Sequence, residues 1–344
     1  VILTGVRLFA GANTAQGFYS FYPLLARDDL QRVFILKGGP GTGKSTFMEE
    51  IAKSLAPVRV DRFHCSADSK SLDAIYIPEW GVTVIDGTPP HVLEPRLPGA
   101  VQEIVDLGQC FSSQGLSRRR EEILELTNSK GQQYQLAYQW LALAAAQTDI
   151  IQTHRKSVPP EQVSADAQAI ARFLPREAQG QDIKAFADAI TGTGIFSFLP
   201  QLIEDTPVSI GLVGSNRNYN SQVLQSIRTI LSQRKLPATY LYSPLQPQYL
   251  EHIYIPGSFG LYSLPRLHEQ FRLSAWYGPP EPPESDLEGE VDRSLQRAIA
   301  ALSRARELHA ELEKIYTSQV DFTCVEKLRE MVLTKIARMK PRSL

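Results

Sequence analysis

Residues 33–51 read VFILKGGPGTGKSTFMEEI, an apolar run that passes through a glycine-rich turn into a helical pattern. This order restricts the fold more than any other part of the chain. Val33 to Leu36 is short, apolar and partly β-branched, as a buried parallel strand should be, and Phe47, Met48, Ile51, Ala52 and Leu55 recur at helical spacing. Between them Gly38, Gly43, Lys44 and Ser45 satisfy G-x-x-x-x-G-K-[ST]. At average residue usage, such a four-point match arises by chance in roughly one chain per hundred of this length. Strand, glycine turn and helix in that order predict an α/β fold with an anion site at the strand's carboxyl end.

The residue types specify the chemistry. Glycines at 38, 39, 41 and 43 let backbone N–H groups approach a polyphosphate, Pro40 and Thr42 complete the loop, and a helix starting near Lys44 offers unpaired N–H groups and its positive dipole end. Lys44 is expected to reach the β- and γ-phosphates, Ser45 to ligate Mg²⁺, and Thr46 to add a phosphate contact. Val82 to Asp86 reads as a neighbouring strand ending in an acid, which makes Asp86 the carboxylate on the far side of the metal. Lys44 and Asp86 are therefore the expected catalytic pair, and Ser45 and Asp86 the metal ligands. No glutamate follows Asp86, so the hydrolytic base is unassigned. The end of the Val58 to Phe63 strand and its sequel place His64, Asp68 and His91 as candidates for a second-substrate or water site, with turn capping as the structural alternative.

The chain also repeats itself. Residues 7–25 (RLFAGANTAQGFYSFYPLL) match 184–202 (KAFADAITGTGIFSFLPQL) at Phe9/Phe186, Thr14/Thr191, Gly17/Gly194, Phe21/Phe198 and Pro23/Pro200, and Ile75-Tyr76-Ile77-Pro78 returns as Ile253-Tyr254-Ile255-Pro256. Two matches in order predict tandem copies of one α/β unit. In the second copy Gly214 stands for Gly38, Tyr219 for Gly43 and Asn220 for Lys44, while only Ser221 preserves Ser45. Tyrosine removes the backbone freedom and asparagine removes the cation, and the strand Gly260 to Leu264 ends without a carboxylate. The second loop is expected to be degenerate.

The blocks FAGANTAQGFYSFY, LKGGPGTGKST, HCSADSKSLDAIYIP and DGTPPH resemble a family of bacterial tandem P-loop NTPases with no settled physiological role. The resemblance covers most of the first copy and, more weakly, the second. It implies the fold and ATP binding and names no substrate. In that family the second repeat often keeps a lysine-containing loop, and this chain departs from it at Tyr219 and Asn220.

With 43% hydrophobic and 21% charged residues and a net charge of −1, the 344-residue chain can bury a core in each of two domains and carries no signature of a polyanion partner. Arg118-Arg119-Arg120 and the Lys335 to Arg342 region read as solvated helix faces. Neither a membrane span nor a signal segment is visible, and Cys65, Cys110 and Cys324 are too few and scattered for a disulfide framework, so a cytoplasmic protein is expected. No C-x-x-C or H-x₃-H spacing supports structural zinc. The chain starts at Val1, which leaves room for an initiator or short leader ahead of it.

Each copy ends in a helical arm. The first spans about 117–154 with a break at Asn128 to Gly131; the second, about 288–340, reads as an antiparallel helical hairpin set off by Pro279, Pro280, Pro282 and Pro283. The expected architecture is two three-layer α/β/α P-loop domains, residues 1–180 and 181–344, with Mg-ATP held in the first. ATP is preferred because no N-K-x-D-like guanine-reading segment appears. The expected function is an ATPase, with two alternatives: a kinase acting on a nucleotide or small metabolite, and a non-hydrolysing ATP sensor whose arms dock a protein partner. Membrane and nucleic-acid partners are not expected.

Overall fold

The computed structural model describes residues 5–265, 271–279 and 286–339. The first half runs β1 (Arg7–Phe9), β2 (Gly11–Thr14), β3 (Gly17–Ser20), β4 (Arg32–Lys37), α1 (Lys44–Ser54), β5 (Asp61–His64), β6 (Leu72–Ile77), β7 (Val82–Asp86), β8 (Gln102–Asp106), α2 (Ser113–Arg118), α3 (Arg120–Thr153) and α4 (Pro160–Ala171). The second runs β9 (Ile183–Ala185), β10 (Asp188–Thr191), β11 (Gly194–Ser197), α5 (Leu199–Glu204), β12 (Val208–Val213), α6 (Arg217–Gln233), β13 (Thr239–Tyr242), β14 (Leu250–Ile255), β15 (Phe259–Leu264), β16 (Ala275–Tyr277), α7 (Asp286–Thr317) and α8 (Phe322–Ala337).

The chain is mixed α/β with two six-stranded sheets, β1-β5-β6-β7-β4-β8 and β9-β13-β14-β15-β12-β16. Along both orders the pairings run parallel, antiparallel, antiparallel, parallel, parallel. Strand β4 sits between two parallel neighbours and is buried on both faces, which is why Val33 to Leu36 is continuously apolar.

Alternation sends Phe34 and Leu36 to one face and Val33 and Ile35 to the other. Phe34 and Leu36 pack with Met48 and Ile51 of α1 and with Val325, Val332 and Ile336 of α8. The corresponding face of the second sheet, with Ile210, Leu212 and Ile253, packs with Val223 and Ile227 of α6 and with Val163 and Ile170 of α4. The inner faces share one apolar cluster: Val33, Ile35 and Ile85 lie in it with Leu241, Tyr254 and Tyr262, together with Tyr22 and Leu25 of a short 3-10 turn and Leu202 and Ile203 of α5. Long helices thus cover one face of each sheet. The second helical layer expected on each inner face is replaced by this common core.

The arms differ from expectation in three ways. Helix α3 is continuous through Asn128 to Gly131, because one interior glycine costs only about 1 kcal/mol and packing along α7 outweighs it. The stripe of α7 faces α3 rather than α8, since Ala298, Ala301 and Leu302 cluster with Ala137 and Leu141. The pair is antiparallel: Lys130 lies beside His309, Gln147 accepts a hydrogen bond from Ser294, and Arg155 meets Glu288. Each arm then ends on the opposite half, α4 against α6 and α8 against α1. Finally, Cys110 and Cys324 form a disulfide across 214 positions, so two of the three cysteines are paired and the reading of scattered, unbridged thiols is corrected. The linker prolines 280, 282 and 283 lie outside the described residues. Among the described residues no helix is long and apolar enough to cross a membrane.

Candidate functional site

The glycine-rich loop leaves β4 at Lys37 and enters α1 at Lys44. Gly41 and Gly43 take φ of 68° and 80°, a left-handed conformation that explains glycine at both positions. Gly43 is the N-cap of α1 and offers no side chain to the first-turn N–H groups, which therefore point out of the loop with the positive end of the helix dipole. Thr42 Oγ1 donates to Gly39 O at 2.9 Å and braces the turn. Thr46 is exposed on the first turn of α1.

Lys44 Nζ folds back over the loop, donating to Gly38 O and Gly39 O at 2.9 Å each, and lies 3.6 Å from Asp86 Oδ2. The β4–β7 register sets this pair, because Asp86 stands opposite Leu36 at the end of its strand. Asp86 Oδ1 accepts from Thr88 N at 2.9 Å and Thr88 Oγ1 at 2.6 Å. Burial pushes the Asp86 carboxyl up against the opposing charges of Lys44 and His91. Ser45 Oγ accepts from Leu72 N at 2.9 Å, which fixes the hydroxyl between α1 and β6.

Behind Asp86 lies a buried polar row. His91 Nδ1 donates to the Asp86 carbonyl at 3.0 Å, and its Nε2 lies 3.5 Å from Asp73 Oδ2, which also accepts from Tyr22 OH at 2.8 Å. Burial disfavours the charged His91 ring, but the bond and charge of Asp73 and the charge of Asp86 outweigh it and hold the ring above its ordinary value. Asp73, Asp86 and His91 bring one ligand atom each within 4.8 Å of one another. Asp73 is absent from the sequence candidates. Its signal was an acid inside the apolar strand Leu72 to Ile77, where burial demands a partner.

The remaining candidates separate. His64 donates from Nδ1 to Ser69 O at 2.7 Å and is packed by Phe9 and Phe198, and burial with nearby Arg7 lowers it to about 4. Asp68 caps its own turn through Lys70 N and Ser71 Oγ. Of the three, His91 alone bonds to the Lys44–Asp86 pair's own strand end.

The arm of the second half covers the loop. A β-carbon on Gly39 would lie 2.8 Å from the Tyr316 ring, and one on Gly41 would lie 2.3 Å from Thr317 Oγ1 and 2.8 Å from the Glu313 carbonyl. Thr317 Oγ1 donates to Gly41 O at 3.3 Å. Periodicity identifies such a helix but not the surface on which its end lands.

The second loop is built differently. Helix α6 starts at Arg217, the counterpart of Gly41, with Asn216 Oδ1 accepting from Tyr219 N at 3.1 Å as its cap. Residues that would wrap an anion are already helical. Asn220 Nδ2 donates to Gly214 O at 3.0 Å and Ser263 Oγ at 2.8 Å, a neutral pair where the first half has Lys44 and Asp86. The Arg217 guanidinium fills the space above, bonded to Asp149 and Gln246 and stacked 4.0 Å over Tyr249.

In the first half, outward-pointing N–H groups, one cation, a hydroxyl and a buried carboxylate converge at the carboxyl ends of β4 and β7, a donor set that fits a phosphate chain carrying a divalent cation. No family model, curated protein or solved structure matches the chain.

Proposed function

We propose that loop 38–43 binds Mg-ATP and that the protein is an ATPase using this one site, the two halves being tandem P-loop NTPase-like units of which the second has a degenerate loop. The observation that carries the reading is the Lys44–Asp86 pair across a loop with left-handed glycines at 41 and 43, at the head of an uncapped helix. In this reading the loop N–H groups hold the phosphates, and Lys44 exchanges its bonds to the Gly38 and Gly39 carbonyls for the β- and γ-phosphate oxygens. Ser45 and Asp86 would hold Mg²⁺, which neutralises charge on the phosphate oxygens. The family resemblance of the sequence agrees with this reading. A kinase gains no comparable support, because His64 is packed among aromatic rings and His91 is engaged by Asp73 and Asp86.

The test is calorimetric titration of the full chain with Mg-ATP together with phosphate release in the absence of an acceptor, for the parent and Lys44→Ala. Binding and turnover in the parent, both lost in a folded Lys44→Ala variant, are expected. Parental affinity in that variant overturns the assignment.

A further inference from the structure

We propose that Glu313, carried on the arm of the second half, is the catalytic carboxylate that holds the attacking water at loop 38–43, positioned by His309 and Lys130. The inference rests on the ATPase reading and supplies the base that the β7 end lacks, where Gly87 follows Asp86 and the Asp86 carboxylate is engaged by Lys44 and Thr88.

Three observations carry it. The backbone of Glu313 lies against Gly41, within 2.8 Å of where a β-carbon there would stand, so the residue sits at the loop although it is distant in sequence. Its carboxylate is 3.6 Å from His309 Nε2, one turn back on α7, and His309 Nδ1 is 3.4 Å from Lys130 Nζ on α3. An ammonium only donates, so Nδ1 carries the lone pair and the neutral ring presents Nε2–H to Glu313. Burial and the charges of Lys130 and Lys44 lower His309 to about 4, which keeps it neutral near pH 7.

The second half supplies the contrast. Asp149 near the end of α3 holds the counterpart place over loop 214–221, and there it is bonded to Arg217 and Gln246. Among the described residues no lysine or arginine makes an ion pair with Glu313, and its carboxyl is raised by burial and by Asp68, with Lys44 and Lys130 opposing. The carboxylate is thus free to face a water rather than a fixed guanidinium, and its raised affinity suits it to accept a proton.

In the step itself the water oxygen bonds to the γ-phosphorus while the bond from that phosphorus to the β–γ bridging oxygen breaks. ADP leaves with the electron pair, and the proton released by the water passes to Glu313.

Phosphate release and Mg-ATP affinity of the full chain are measured for the parent, Glu313→Gln, Glu313→Asp, His309→Ala and the Glu313→Gln/His309→Ala double variant. Glu313→Gln should lose about 100-fold in kcat with affinity within about 3-fold of the parent, the scale of one lost general base. Glu313→Asp should restore part of the rate, His309→Ala should lower kcat with KM unchanged, and the double variant should be no slower than Glu313→Gln. Parental turnover in Glu313→Gln overturns the inference and leaves the ATPase reading intact. A parent that binds Mg-ATP without releasing phosphate overturns the inference and the hydrolytic reading, and a parent that binds none overturns both this inference and the loop assignment.

Discussion

Phe9 and Phe186 exchange both backbone hydrogen bonds, Phe9 N to Phe186 O at 2.9 Å and Phe186 N to Phe9 O at 2.8 Å. They are the same position in the two sequence repeats, so each half meets the other through equivalent residues and the contact is reciprocal. The arms obey the same reciprocity. Helix α3 ends over loop 214–221, where Gln152 Nε2 donates to Ser215 O at 2.9 Å, and α7 ends over loop 38–43. Each loop is therefore roofed by the opposite half.

The Cys110–Cys324 bridge ties this roof down, because Cys324 opens α8 directly after the turn that follows α7. Closing a loop of this length removes unfolded-state entropy on the order of 5 kcal/mol, and removing a native disulfide typically costs about 2–5 kcal/mol. Cys324→Ser should lower the stability of the whole chain by that amount in denaturant titration, and amide exchange should rise first in α8. Equal stability of parent and variant in non-reducing buffer would show that packing of Val325, Val332 and Ile336 alone holds the helix.

How much of this was legible depends on range. Strand β4, the glycine loop, α1 and the acid at Asp86 follow from patterns that span a few residues, and all four occupy the expected elements. The partner of an apolar stripe is not encoded locally: the α7 pattern is satisfied equally by α8 or α3, and only the folded chain selects α3. Cys110 with Cys324 and Glu313 with Gly41 escaped for the same reason. Asp73 was within reach, since a carboxylate in a buried strand must be paired, as it is by Tyr22 and His91.

His91 makes stability depend on pH. Its folded-state affinity for a proton is raised, so its stabilising contribution is fully present below the unfolded value of about 6.5 and is lost as pH rises through the folded value. Denaturant titrations of the parent and His91→Gln between pH 5.5 and 9 should show the largest gap at the acid end. Two carboxyls face the ring, Asp73, held below its usual value by His91 and Tyr22 against the cost of burial, and Asp86, raised by burial, so a gap independent of pH would mean that the imidazolium is not formed in the folded chain.

Asp86 should report on the metal more than on the nucleotide. Its carboxylate is held by Thr88 and lies 3.6 Å from Lys44, whereas the loop's N–H groups do not depend on it. Asp86→Asn keeps the shape and the Thr88 bonds while removing the charge. The Mg²⁺ concentration for half-maximal turnover should rise about 10-fold or more with a smaller loss of ATP affinity. A magnesium titration superimposable on the parent would reduce Asp86 to a turn residue that anchors Lys44.

The number of nucleotides per chain tests the difference between the halves most directly. In the second half α6 begins at the counterpart of Gly41, the lysine position is Asn220 bonded to Gly214 O and Ser263 Oγ, and Arg217 occupies the space above the loop. A phosphate there would have to displace a guanidinium bonded to Asp149 and Gln246 and would meet helix rather than open N–H groups. Calorimetric titration of the full chain with Mg-ATP should therefore give a stoichiometry near one, abolished by Lys44→Ala and little changed by Asn220→Ala. Arg217→Gly removes the guanidinium but not the early helix start, so it too should leave the stoichiometry near one. A value near two, or a site that survives Lys44→Ala and disappears in Asn220→Ala, would mean that the second loop binds a nucleotide through contacts other than an open glycine turn and a lysine.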